Sequence, residues 1–352
     1  MLPPTLGECV AYRDWGPASG GQVAASGTPS VPVSAQIAAG REERRRDVVA
    51  GRSCGLHAEL RAFARSPSVQ AAGRMVEWAR PRPSPGRLDA PFLSGDRGTV
   101  TGLRAVARAR AEDLALDALQ TLARSPPRLA RAAAAGPRRR VLALGVEREP
   151  GALVPARVEL ESSRHDVALA TIAVGGRGRW ENLDALLADH PPDGRDWLLL
   201  VDDDVTLPRG FLDAFLFLAE RFDLALAQPA HRRLSHAAWT VTRRRAGSVA
   251  RRTRFVEIGP VLALRADTWP LLLPFPPLRA GWGLDAHWAA IARRERWRVG
   301  VIDAVPISHH SRPVASSYSA EGAVAEAREF LAGREWLGRE ELSETLEVYR
   351  TW

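Results

Sequence analysis

The segment WLLLVDDDV, residues 197–205, constrains the fold more than any other stretch of this 352-residue chain. Its first five residues, Trp197 to Val201, are all apolar, so a strand built from them has no face to offer water. Such a run suits a strand covered by helices on both sides better than a half-exposed antiparallel strand. Two similar runs precede it, 141–146 (VLALGV) and 167–174, and Leu224 to Ala227 forms a shorter one. Between them lie helical spacings. Leu183 and Leu187 stand four apart in a candidate helix at 180–188, and Phe211, Phe215 and Leu218 follow Pro208 at spacings of four and three. Strand and helix alternate, which predicts an α/β class protein: a three-layer α/β/α domain with a mostly parallel central sheet over 138–318.

Further along, 255–264 (FVEIGPVLAL) reads as a strand with a Gly-Pro interruption, followed by a helix start at 265–269. Leu284, Trp288 and Ile291 form an apolar face directly behind Gly281-Trp282-Gly283. Residues 297–302 read as a strand running toward Ser308-His309-His310. The tail, 319–352, reads as mainly helical, with Val324, Ala327 and Leu331 on one face. Residues 235–254 are rich in arginine and ambiguous.

The first 137 residues are different. They are rich in Gly, Ser, Pro, Ala and Arg, with a charged knot at 41–47 (REERRRD) and short helical stretches starting at Leu56 and spanning 101–123. Ser125-Pro126-Pro127 is read as the stop of the latter. This part reads as a poorly ordered or helical N-terminal appendage and is assigned no chemistry. It also carries the charge. The formal net charge of +8 is made entirely by arginine; residues 1–140 hold 22 Arg against 12 acids, and the remainder 27 against 29. A basic excess confined to the weakly patterned half argues against a nucleic-acid partner. Cys9 and Cys54 make neither a disulfide scaffold nor a zinc site. No apolar run reaches membrane-spanning length, since 260–278 is broken by Arg265, Asp267 and prolines. Nor does the start MLPPTLGECV read as a signal peptide, so a cytoplasmic location is expected, with peripheral membrane contact open.

Three clusters carry chemistry. Asp202, Asp203 and Asp204 leave the C-terminal end of a strand, the usual ligand side of an open α/β sheet. Like charges so close repel unless water or a cation compensates. Strand alternation would send Asp202 and Asp204 to one side, able to hold Mg2+ or Mn2+, and Asp203 to the other. The same triplet would also serve as an acidic turn capping the next helix. His309 and His310 close the last strand; an imidazole donor would shift preference toward Mn2+, while either ring would equally serve a structural role. In Gly281-Trp282-Gly283-Leu284-Asp285 the glycines permit close approach of a sugar or diphosphate, and Trp282 could stack on a sugar. Asp285 is placed to deprotonate a hydroxyl, or simply to interact with exposed helix-start amides.

In this order, the strand 141–146, VDDDV at 201–205, FVEIGPVLALRADTW at 255–269, GWGLDAHW at 281–288 and ISHH at 307–310, the chain resembles the metal-dependent nucleotide-sugar glycosyltransferases of the GT-A fold. The resemblance covers residues 138–315, about half the chain. It implies that Asp202 and Asp204 coordinate a metal bound to the donor diphosphate, with His309 or His310 completing the site. Asp203 would contact the donor ribose or sugar, and Asp285 would act as base in an inverting reaction. Leu284 stands where many members carry a second acid, and the ambiguous segment 235–254 would be a mobile acceptor loop. Arg148 is a candidate for the donor-base pocket, Arg177 and Arg179 for the diphosphate, Trp282 and Gly283 for the sugar site, and Glu257 for an acceptor-side acid or a strand-edge charge.

The implied reaction moves a sugar from a nucleoside-diphosphate sugar to a hydroxyl-bearing acceptor (a glycan, a lipid or a small molecule) with Mn2+ or Mg2+ as cofactor. A sugar nucleotidyltransferase and a non-catalytic carbohydrate-binding protein of the same fold are the alternatives. The first of these would need a phosphate loop after the first strand, where this chain has VEREPG.

Overall fold

The computed structural model describes residues 95, 96, 98–310 and 319–352. All belong to one unit, Pro83–Trp352. The knot at 41–47, both cysteines and the helix starting at Leu56 lie outside the described residues.

Among the described residues nine strands form one sheet: β1 (Arg140–Glu147), β2 (Asp166–Ala173), β3 (Trp197–Asp202), β4 (Val205–Thr206), β5 (Leu224–His231), β6 (Ala250–Thr253), β7 (Val261–Arg265), β8 (Arg298–His309) and β9 (Thr345–Tyr349). Their order is β2-β1-β3-β7-β5-β8-β6-β9, with β4 paired to β8 off this path. β1, β2 and β3 pair in parallel, as do β5 and β8. β7 runs antiparallel to both β3 and β5, so the two parallel groups point the same way. The expected α/β sheet is present with most strands pointing one way; β7 at its centre, and β4 and β6 beside β8, are reversed.

The unbroken apolar runs are explained by two cores, one on each face. Val141, Ala143, Trp197, Leu199, Val201, Val261 and Ala263 face one of them. The alternate residues Leu142, Leu144, Leu198, Leu200, Leu262 and Leu264 face the other. The helices covering the first face are α2 (Ser125–Ala134), α3 (Val154–Glu161) and α5 (Phe211–Arg221). The second face is covered by α4 (Arg179–Asp189), α7 (Leu284–Arg294) and α8 (Ala320–Leu331). Period-two alternation with apolar residues in both registers is what a sheet buried on both sides requires.

Several local readings change. Residues 255–260 are not strand; pairing starts only at Val261. The helix before Ser125-Pro126-Pro127 does end, at Leu122, but the prolines also occupy the first turn of a new helix, α2, where their missing N–H costs nothing. It follows α1 (Leu103–Leu122) after two residues. The segment read as a mobile acceptor loop contains strand β6 and buried arginines. Arg251 Nε and a second guanidinium nitrogen bond both oxygens of the fully buried Asp303, at 2.8 and 3.0 Å. The tail holds helix α8, then the short α9 (Arg339–Leu342), and ends in strand β9 against β6 rather than in helix. Among the described residues no helix is long and apolar enough to cross a membrane.

Breaking a buried ion pair strands a charge. Asp303→Ala should therefore lower the free energy of unfolding by about 3–5 kcal/mol, measured by urea denaturation. A loss under about 1 kcal/mol would show that Arg251 finds water or another acceptor.

Candidate functional site

Strand β3 stops at Asp202, and the next two aspartates sit in a tight turn before β4. Strand alternation therefore does not reach Asp203 and Asp204. Instead these two share the guanidinium of Arg148, which contacts Asp203 through Nε at 2.8 Å and through a shorter terminal contact, and reaches Asp204 Oδ2 at 2.8 Å. The Arg148 main-chain N–H also donates to Asp203, at 2.6 Å. Asp202 takes a different cation, Arg179 Nε at 2.7 Å. Arg148 thus lies against the carboxylates of Asp203 and Asp204. Of the two diphosphate candidates, Arg179 meets the acidic cluster while Arg177 is exposed on the preceding turn.

The distant histidine arrives through strand pairing. Val205 pairs with His309 and Thr206 with Ser308. His309 Nε2 consequently stands 3.2 Å from Asp204 Oδ1. His310 turns away: its ring bonds Thr206 Oγ1 at 2.7 Å, and its main-chain N–H donates to the Asp204 carbonyl at 2.8 Å. Burial pushes the Asp204 carboxyl up, but His309 and Arg148 outweigh it and hold the group well below the usual carboxylate range. His309 shifts the opposite way; burial favours the neutral ring, yet Asp204 raises it above an ordinary histidine.

These residues can be tested against a divalent cation. Asp204 Oδ1 and His309 Nδ1 are buried with no hydrogen-bond partner. The nitrogen that faces Asp204 Oδ1 is Nε2, at 3.2 Å, and this oxygen and nitrogen make an O/N donor pair suited to Mn2+ once the ring has given up its proton. Asp202 joins that pair only by releasing Arg179. Among the described residues no group of three or more His, Cys, Asp or Glu is arranged to hold a metal. The residues present thus supply two donors, Asp204 and His309, and a cation held by them would keep waters to fill its remaining positions.

The glycine-tryptophan element is held by its neighbours. Gly281 has φ +78°, and a Cβ there would stand 1.9 Å from Trp180 Nε1, so no larger residue fits. Gly283, at φ +85°, turns the chain into α7. Glu326 of α8 accepts the main-chain N–H groups of Arg279, Ala280 and Gly281 at 2.7–3.1 Å. Trp282 is half-buried. Asp285, in the first turn of α7, accepts the Ala286 N–H at 2.9 Å. Burial, with the nearby Glu257 charge adding to it, pushes the Asp285 carboxyl up to about 7.

Glu257 is buried, and its carboxylate is consumed internally. It accepts the Trp239 N–H at 3.0 Å and the Thr242 hydroxyl at 2.5 Å, and lies 3.6 Å from His231 Nε2. Burial raises it, but His231 and these bonds hold it below the ordinary value. It tethers the 239–242 turn instead of presenting itself at a strand edge.

Sequence reasoning assigned no chemistry to helix α1, which borders the site. Both Asp113 oxygens accept main-chain N–H groups, from Arg233 at 2.9 Å and Leu234 at 3.0 Å. Asp117 binds Arg232 and, at 2.7 Å, Arg244. Apolar periodicity gives no sign of this, because the face that α1 buries is acidic.

No protein-family model matches the chain, and neither does any curated protein. Solved structures share a loose likeness. The mannosyltransferase PcManGT from Pyrobaculum calidifontis, in complex with GDP-Man and Mn2+, matches over 66% of this chain and 76% of its own at 12% identity, with a TM-score of 0.41. GalNAc-T7 with UDP, GalNAc and Mn2+ matches over 54% of this chain and 48% of its own at 8% identity and a TM-score of 0.37. A197 from STIV matches over 49% and 86% at 9% identity and a TM-score of 0.36. None of these likenesses is close enough to assign a residue's role.

The raised Asp285 value has a consequence for stability. The folded chain keeps a proton there that the unfolded chain has already released above about pH 4. Its contribution is full below that pH and is lost as pH rises through about 7. Asparagine has no such proton to lose. Asp285→Asn should therefore gain stability relative to the parent between about pH 5 and about pH 8, read by urea denaturation at both. A pH-independent difference would mean that the carboxyl titrates normally.

Proposed function

We propose that the chain is a glycosyltransferase that takes its sugar from a nucleoside-diphosphate donor, with Mn2+ or Mg2+ as cofactor, and passes it to a hydroxyl-bearing acceptor. One observation carries this reading: the acidic end of β3 meets the end of β8, with Asp204 Oδ1 and His309 Nε2 3.2 Å apart. Carboxylates and an imidazole separated by about a hundred residues have little reason to converge at the ligand side of an α/β sheet except to hold something there.

In this reading Asp204 and His309 would hold the cation, which when bound neutralises charge developing on the departing diphosphate. Asp202 would take part once the donor draws Arg179 away. Arg148 and Arg179 keep the three carboxylates from repelling one another and supply positive charge beside the leaving group. Trp282 and Gly283 shape the sugar side. Asp285 accepts the proton of the attacking acceptor hydroxyl, and a carboxyl poised near 7 is well matched to that task at neutral pH. The outcome proposed is inversion. Glu257 is a positioning residue: it fixes the 239–242 turn, and its charge keeps the Asp285 proton affinity high.

The test is cleavage and transfer with a panel of nucleotide sugars, with and without chelator. Turnover should require a divalent cation, and Asp204→Asn should lower it on the order of 10²-fold with folding intact. Undiminished turnover in that variant, or in excess chelator, would remove the metal seat from the mechanism.

A second expectation follows from the base. The kcat/KM for transfer should rise with pH to a plateau, with its inflection near 7. Asp285→Asn should lose that inflection and reduce transfer far more than donor binding. Equal losses in both would make Asp285 a structural residue.

A further inference from the structure

A cavity of about 200 Å³ adjoins the acidic strand end without being part of it. Helix α1, the turn after β5 and the end of β8 enclose it, and of the acidic cluster only His309 lines it. The acid in its wall, Asp113, is spent on the Arg233 and Leu234 N–H groups, and Arg232 is bound to Asp117. Arg110, also in the wall, is exposed and makes no hydrogen bond or ion pair among the described residues. The Ser308 hydroxyl is likewise unbonded among them.

An unpaired guanidinium beside a hydroxyl and an imidazole selects an oxyanion. Phosphate offers three oxygens for three such donors, Arg110, Ser308 and His310 Nδ1, the ring nitrogen that does not meet Thr206, where a carboxylate has two. The surroundings are apolar. Leu114 is 63% exposed and Leu234 38%. Leu103, Arg110 and Leu114 stand seven and four apart on α1 and so share one face, placing the charge between two exposed leucines. The volume falls below the ~300–1,000 Å³ of pockets that enclose a whole drug-sized ligand, which leaves room for a head group only.

We propose that this cavity anchors the hydroxyl-bearing acceptor by a phosphomonoester head, with an apolar tail running out over Leu114 and Leu234 and the hydroxyl left free for the acidic strand end. Because His309 belongs both to the cavity wall and to the Asp204 contact, a molecule anchored here is delivered to the acidic strand end. Only the word acceptor rests on the transferase reading; the binding site stands on its own lining.

The experiment is calorimetric titration of the full chain with octyl phosphate, inorganic phosphate and octyl glucoside. Octyl phosphate should bind about tenfold more tightly than either of the others, and Arg110→Gln should remove about that factor while Arg110→Lys retains part of it. Leu114→Ser should weaken octyl phosphate and leave inorganic phosphate unchanged. Flotation with phosphatidic acid vesicles, present in the wild type and absent in Arg110→Gln, would assign the head to a lipid; octyl phosphate binding without flotation would assign it to a soluble amphiphile. Equal octyl phosphate affinity in wild type and Arg110→Gln, or inorganic phosphate binding as tightly as octyl phosphate, overturns the proposal. Nucleotide-sugar cleavage by the wild type is measured separately. Cleavage without octyl phosphate binding removes the cavity site alone, and binding without cleavage removes the transferase reading alone.

Discussion

A ladder of two residue pairs holds the site together. Val205 opposite His309 and Thr206 opposite Ser308 are all that β4 contributes to the sheet. Yet this pairing fixes the register of the acidic turn against the end of β8. A slip of one residue would send the His309 ring to the other face of its strand. The His310 N–H on the Asp204 carbonyl extends the ladder by one bond, and the His309 N–H on Ser235 Oγ ties the same strand end to the turn after β5. Acid, imidazole and cavity wall are therefore positioned by one short piece of backbone pairing.

Charge compensation is the second constraint. Three consecutive carboxylates are tolerable here because two forked cations and a histidine answer them, and the guanidinium fork of Arg148 serves two acids at once. Burial acts on Asp204 and Asp285 in the same direction, but only Asp204 has cations beside it. One carboxyl is consequently held charged and the other is poised near 7. In the proposed reaction this separation suits Asp204 to holding charge and Asp285 to taking a proton.

The sheet was legible because its information is local. The runs at 141–146 and 197–201 are apolar in both registers, and only a strand buried on both faces needs that. The candidate acids and histidines were legible as types in an order, since a strand end followed by charge is visible in sequence. Pairing was not. Nothing in DDDV indicates that strand alternation stops at Asp202, and nothing near Glu257 indicates that its carboxylate is used up by Trp239 and Thr242. Buried arginines are the hardest case. Arg244 and Arg251 look like solvated surface in a basic stretch, and the partners that offset their burial, Asp113 and Asp117 for one and Asp303 for the other, are distant in sequence.

Helix α1 shows the same difficulty from the other side. Periodicity arguments assume that apolar residues face inward and charges outward, but this helix buries Ala109 and Asp113 while Leu103, Leu114, Leu119 and Leu122 remain exposed. What holds it is a set of directed bonds from Asp113 and Asp117 to Arg232, Arg244 and the main chain of the 233–234 turn. Such bonds fix orientation more strictly than apolar contact does, because each donor must meet its acceptor. A helix docked through its acids must leave its leucines outward, and the apolar rim of the cavity follows from that choice. The anchoring of α1 and the amphipathic character proposed for the bound molecule therefore have a single cause.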